Sequence, residues 1–174
     1  MEKELKREIW KILKALFFII FSIVIILPYM VQITTYLHER AHMSVLTKYG
    51  VSNYYSANLL MTIPNFFNPN AESLGVTQFN FDQYQKLDKF QRAELHVSGI
   101  VSDLRVLFLI SIYLALVNVY VIYKIYVKKE VNLGWVLAIN WLLFMWLLAL
   151  IQITIANITY PNGDTYQLIK FLRV

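Results

Sequence analysis

Cysteine is absent from this chain, which excludes disulfides and thiolate metal ligands and leaves the redox compartment open. Charge is scarce too. Only 16% of the 174 residues are charged and 58% are hydrophobic, whereas a soluble domain carries about a quarter charged residues. Most of the chain is therefore expected in lipid. The formal charge of +5 is modest, and the lysines cluster beside apolar runs. That placement fits membrane orientation and gives no support to nucleic-acid binding. No repeat or low-complexity tract is present.

What is present is three long apolar runs without a charge. Ala15 to Tyr36 covers 22 residues, Val106 to Tyr123 covers 18 and Leu133 to Ala156 covers 24. At about 1.5 Å per residue each is close to or beyond the length needed to cross a bilayer core of about 30 Å. The expected fold class is an all-α multi-pass membrane protein, one membrane-embedded domain over residues 1–174. Its helices fall at about 15–37, 100–124 and 133–157, with a small mixed β/α connector over 43–97 between the first two. The first run ends in Gln32, Thr34, Thr35 and Tyr36 and not in small residues, so it reads as a membrane helix and not a signal peptide. Pro28 inside it frees a carbonyl one turn back and predicts a kink about ten residues before His38.

In the connector, Val51 to Pro64 and Leu74 to Phe81 have the content of extended segments, around a turn at Asn68-Pro69-Asn70. Asp82 followed by Gln85 has the form of a capping box. Tyr84, Leu87, Phe90, Ala93 and Val97 then give a helical stripe. Near the end, Pro161-Asn162-Gly163-Asp164 is a break before a short helix that Asp164 is placed to cap.

The chemistry concentrates in His38-Glu39-Arg40-Ala41-His42, an H-E-x-x-H. On a helix both imidazoles share one face, one turn apart, and can pinch a single zinc ion. Glu39 stands where a carboxylate can take a proton from zinc-bound water. Two histidines leave a third protein ligand to be found. Glu94, His96, Asp103 and Asp164 are the candidates, with Asp164 ranked first. Glu94 also fits a water-facing ion pair, His96 a membrane-interface residue, and Asp103 a partner of Arg105 or a helix cap.

Five basic residues precede the first run, and Lys124, Lys128 and Lys129 lie between the second and third. The positive-inside rule puts both clusters in the cytoplasm. The expected localisation is the cell membrane, with the N-terminus cytoplasmic and the site nearer the external face. With three crossings, the end of the first helix and the end of the third share one membrane surface whichever way the protein inserts.

An HExxH at a membrane helix, with an Asn…Pro…Asp element two crossings later, resembles the site-2 protease family of intramembrane zinc metalloproteases. That family's three-helix core carries HExxH on its first helix. Its third carries N-x-x-P-x-x-x-x-D-G, whose aspartate is the third zinc ligand. His38, Glu39 and His42 match the first motif in full. Asn157, Pro161 and Asp164 match the second with altered spacing, and Gly163 precedes the aspartate where the family's glycine follows it. Ser98-Gly99-Ile100 resembles the small-residue stretch entering the family's middle helix.

The resemblance implies Zn2+ held by His38, His42 and Asp164, with Glu39 as general base and acid and Asn157 bonding the substrate backbone. It implies a membrane-protein or peptide substrate reached within the lipid bilayer. Such a substrate must unwind locally, since a helix hides its own carbonyls, and Val51 to Phe81 offers a strand edge for it. Polar Gln32, Thr34 and Thr35 would admit water. Two other classes stay open: a membrane gluzincin-like peptidase with Glu94 as third ligand, and a non-enzymatic adaptor or transporter subunit.

Overall fold

Long runs of apolar residues can satisfy their backbone groups in lipid only by bonding within themselves, so they fold as helices. The computed structural model of the protein describes residues 2–68, 75–128, 133–159 and 163–172. In chain order these form α1 (Glu2–Phe21), a π-helical segment (Ser22–Ile26) and α2 (Leu27–Lys48), then β1 (Asn53–Ser56). A 3-10 turn (Leu59–Met61), α3 (Thr62–Phe66), β2 (Val76–Phe79) and α4 (Phe81–Gln85) complete the connector. The long α5 (Lys89–Tyr123), a second π-helical segment (Lys124–Lys128), α6 (Leu133–Thr159) and α7 (Asp164–Leu172) follow. Three helical stretches, built on α1–α2, α5 and α6, are long and apolar enough to cross a membrane. Large apolar side chains such as Phe108, Leu116 and Trp135 stand exposed on them, a surface suited to lipid.

The first helix is longer than the uncharged run suggests. From Glu2 it continues through the HExxH to Lys48, so the connector starts near Tyr49 and not at 43. Pro28 lacks the N–H that would bond Val24, and the ladder answers with the π-helical segment beside it, where the Leu27 N–H reaches Ser22 O. The helix absorbs the proline and goes on.

Likewise the second crossing begins early. Lys89, Glu94, His96 and Asp103 all lie on α5, because Asp88 and Gln91 form the capping box that starts it. The Asp82–Gln85 pair does not form one; Asn80 caps the short α4 instead, accepting from the Gln83 N–H at 3.0 Å.

β1 and β2 pair antiparallel, Tyr55 opposite Thr77. Both strands are shorter than expected. Beyond β1, the Asn58 side chain accepts from the Leu60 N–H and starts helical turns up to Phe66, which take Pro64 into the first turn of α3, where proline is tolerated. The centre of the Asn68-Pro69-Asn70 turn and the Pro161-Asn162 pair lie outside the described residues.

α2 lies against both α5 and α6, and α7 folds back on α5. Below the connector, Val45, Leu46, Val51, Leu87 and Leu95 form one buried cluster. Each fully buried Leu or Val side chain contributes about 1.5–3 kcal/mol. A second cluster, Val106, Ile110 and Leu150, joins α5 to α6. Polar bonds set the register between helices: Ser102 Oγ donates to Leu37 O at 3.1 Å, and Trp146 Nε1 donates to Thr34 Oγ1 at 3.1 Å.

Candidate metal centre

Helical spacing puts the His38 and His42 rings on the face of α2 that packs on α5, and their Nε2 atoms stand 3.1 Å apart. Asp164, the first residue of α7, brings Oδ2 to 2.7 Å from His38 Nε2 and 2.9 Å from His42 Nε2. All three residues are buried, and they form the group able to hold a metal ion among the described residues. Two glycines permit this. A Cβ on Gly163 would lie 2.3 Å from the Asn157 carbonyl oxygen, so only glycine lets the chain pass that close to α6 and deliver Asp164. A Cβ on Gly99 would lie 2.5 Å from Asp164 Oδ2 and 2.6 Å from His38 Cε1.

The protons around these atoms can be assigned from their partners. His42 Nδ1 stands 2.9 Å from the Leu95 carbonyl, which can only accept, so that nitrogen carries the proton. His38 Nδ1 faces the Asp103 carboxylate, Oδ2 at 3.0 Å, and donates in the same way. Both rings turn Nε2 toward Asp164 Oδ2, a buried oxygen with no hydrogen-bond partner among the described residues. Two imidazole nitrogens and one carboxylate oxygen thus converge on one point. A cation satisfies that arrangement. Two imidazole nitrogens and one carboxylate oxygen are the donor set of a catalytic zinc site with a fourth position open. With metal bonds of about 2.0–2.1 Å, tetrahedral ligands stand about 3.3 Å apart, so the donors need to spread by a few tenths of an ångström.

The other sequence candidates fall around this group. Glu39 is half-buried beside it, its Oε2 accepting from the Thr77 N–H of β2 at 2.9 Å. His96 Nδ1 donates to Asp164 Oδ1 at 2.8 Å, on the carboxylate oxygen turned away from the histidines. Glu94 is kept from the centre, paired with Lys48 Nζ at 2.6 Å and with the Tyr49 hydroxyl. Asn157 Nδ2 stands 3.5 Å from Asp103 Oδ2. Ser98 Oγ donates to the Leu95 carbonyl at 2.7 Å.

Gln32 and Thr34, expected to admit water, are instead buried and committed to protein partners. The Gln32 amide donates to the Tyr55 hydroxyl at 2.7 Å, and the Thr34 hydroxyl donates to Met30 O at 2.9 Å. Burial pushes the Tyr55 hydroxyl above its ordinary pKa, so it stays neutral. An apolar groove of about 300 Å³ does reach the region from between α5 and α6, past Leu104, Leu107 and Ile151 to Asp103, Asn157 and Thr165.

Sequence reasoning missed the Leu95 carbonyl and the Thr77 N–H, since backbone groups carry no residue signature. Gly99 had one signal, a glycine among small residues at the entry to a membrane helix. No family model, characterised protein or solved structure matches the chain.

Proposed function

We propose that this protein is a membrane-embedded zinc peptidase that hydrolyses peptide bonds of membrane-associated or transmembrane substrates. The observation that carries the reading is the convergence of two histidine Nε2 atoms and a buried carboxylate oxygen beside a glutamate in the HExxH register. His38, His42 and Asp164 would hold the metal. Zinc bound there supplies Lewis acidity and lowers the pKa of a coordinated water to about 7.

The chain's own residues do the rest. Glu39, held through Oε2 by the Thr77 N–H, accepts the water proton and returns it to the leaving amine nitrogen. His96 occupies Asp164 Oδ1 and leaves Oδ2 for the metal. β2 is the strand nearest the base, and a substrate unwound from its own helix can pair along such an edge. The apolar groove between α5 and α6 suits access from the bilayer in place of water. By the charge rule the N-terminus is cytoplasmic and the centre lies toward the external side of the cell membrane.

One set of variants tests this. Glu39→Gln should keep zinc and lose cleavage by about 100- to 10,000-fold, because an amide cannot accept the proton. Asp164→Ala should lose zinc and cleavage together, and Glu94→Ala should change neither. Metal analysis and peptide cleavage on purified protein read all three. Normal cleavage by Glu39→Gln would end the peptidase reading. Loss of zinc in Glu94→Ala with full zinc in Asp164→Ala would favour the gluzincin alternative, and a wild-type protein without zinc would favour the adaptor or transporter one.

A further inference from the structure

We infer that Asp103 is a positioning residue of the metal centre: its carboxylate holds His38 through Nδ1 so that Nε2 faces the metal, and its charge strengthens the attraction for a divalent ion. This rests on the zinc reading above.

Asp103 lies on the wrong side of the ring to be a ligand. It meets His38 at Nδ1, 3.0 Å away, whereas Asp164 and His42 meet the same ring at Nε2. Its side chain is only 12% exposed, and Oδ1 is buried with no hydrogen-bond partner among the described residues. A buried carboxylate with an unmet oxygen is costly, and Arg105, two positions on, is exposed and forms no ion pair with it among the described residues. Its polar partners there are the His38 ring and, at 3.5 Å, the Asn157 amide.

His42 provides the contrast. That ring is oriented by a neutral acceptor, the Leu95 carbonyl; His38 is oriented by an anion. Leu95, Gly99 and Asp103 follow one another at intervals of four along α5, so a single helix face serves both rings and clears space between them. Outer groups of this kind fix the tautomer of a metal-bound histidine and raise its basicity. Charge gives a second reason. A divalent cation between imidazoles is attracted by every carboxylate near it, and Asp103 adds its charge to those of Asp164 and Glu39.

The test uses the full chain in detergent or nanodiscs at one fixed pH. Zinc affinity is read by competition with a chelator for wild type, Asp103→Asn and Asp103→Ala. With three histidines in the chain, ring 15N and 1H spectra of the zinc-loaded protein report the His38 Nδ1–H and its hydrogen bond directly. Asp103→Ala should weaken zinc by about 10- to 100-fold and remove the hydrogen-bond shift of the His38 Nδ1–H. Asp103→Asn, nearly isosteric and still able to accept from Nδ1–H, should keep that hydrogen bond and lose about 10-fold from charge alone. A purely structural role would lower thermal stability without this split between the two variants.

The proposal is overturned if Asp103→Ala binds zinc within twofold of wild type, or if its His38 Nδ1–H signal is unchanged. In both cases wild-type zinc binding leaves the peptidase reading standing. A wild-type protein that binds no zinc removes both.

Discussion

Replacing Gly99 by alanine adds one methyl group and removes no ligand, so it isolates the packing of the centre. The new Cβ would lie 2.5 Å from Asp164 Oδ2, 2.6 Å from His38 Cε1 and 2.7 Å from His38 Nε2. Comfortable carbon contacts begin at about 3.5 Å, so ring and carboxylate must retreat by close to 1 Å. A metal centre tolerates about 0.2 Å in its bond lengths. Overpacking of one methyl costs about 1–3 kcal/mol. If that strain falls on the bound state, it corresponds to about 5- to 140-fold weaker zinc binding, at 1.4 kcal/mol per tenfold.

Without metal the sign should differ. Alanine favours a helix interior over glycine by about 0.5–1 kcal/mol, and separated ligands can yield, so the metal-free variant should unfold no earlier than metal-free wild type. Gly50→Ala is the control. Gly50 has φ +72°, and a Cβ added there would meet nothing within 4 Å. The substitution should therefore cost about 1 kcal/mol of backbone strain and leave zinc affinity alone. Chelator competition with thermal unfolding of both variants, with and without zinc, reads these outcomes. If Gly99→Ala binds zinc within twofold of wild type, the close approach of α5 to the ligands is wrong.

Metal removal should destabilise the wild-type protein. Zinc at about 1,000 times its dissociation constant stabilises the folded state by about 4 kcal/mol, and chelation should lower the unfolding temperature accordingly; an unchanged temperature argues against a metal that binds the folded centre. Topology can be read from single cysteines placed at Lys11 and Lys124, since the chain has none of its own. Both should be shielded from an impermeant reagent in intact cells. Labelling of both would invert the orientation, and labelling of one alone would break the count of crossings between them.

Local signals carried much of this protein's organisation. A run of about 18 or more predominantly apolar residues has one outcome in lipid wherever it lies in the chain, so the three long helices could be read one at a time. The HExxH was legible for the same reason: four residues on a helix return to the same face. Helix starts were less so. Asp82–Gln85 and Asp88–Gln91 present the same pattern six residues apart, and only the second becomes a capping box. The chain turns between them, where the Leu87 N–H meets Tyr84 O and Leu87 enters the cluster with Val45 and Leu95. Tertiary burial made that choice.

The same division holds at the centre. Glu94, His96, Asp103 and Asp164 were all plausible ligands by residue type, and nothing local ranks the three that share α5. The rotation of α5 against α2, pinned by Ser102 on Leu37 O, turns Asp103 to the far nitrogen of His38 and leaves Glu94 at the surface with Lys48. The return of α7 over Gly163 carries Asp164 to the near side. Those placements are sums over many contacts distant in sequence. The sequence by itself determined which helices form and which imidazoles face together; the packing of helices decided which acids meet them, and through which atoms.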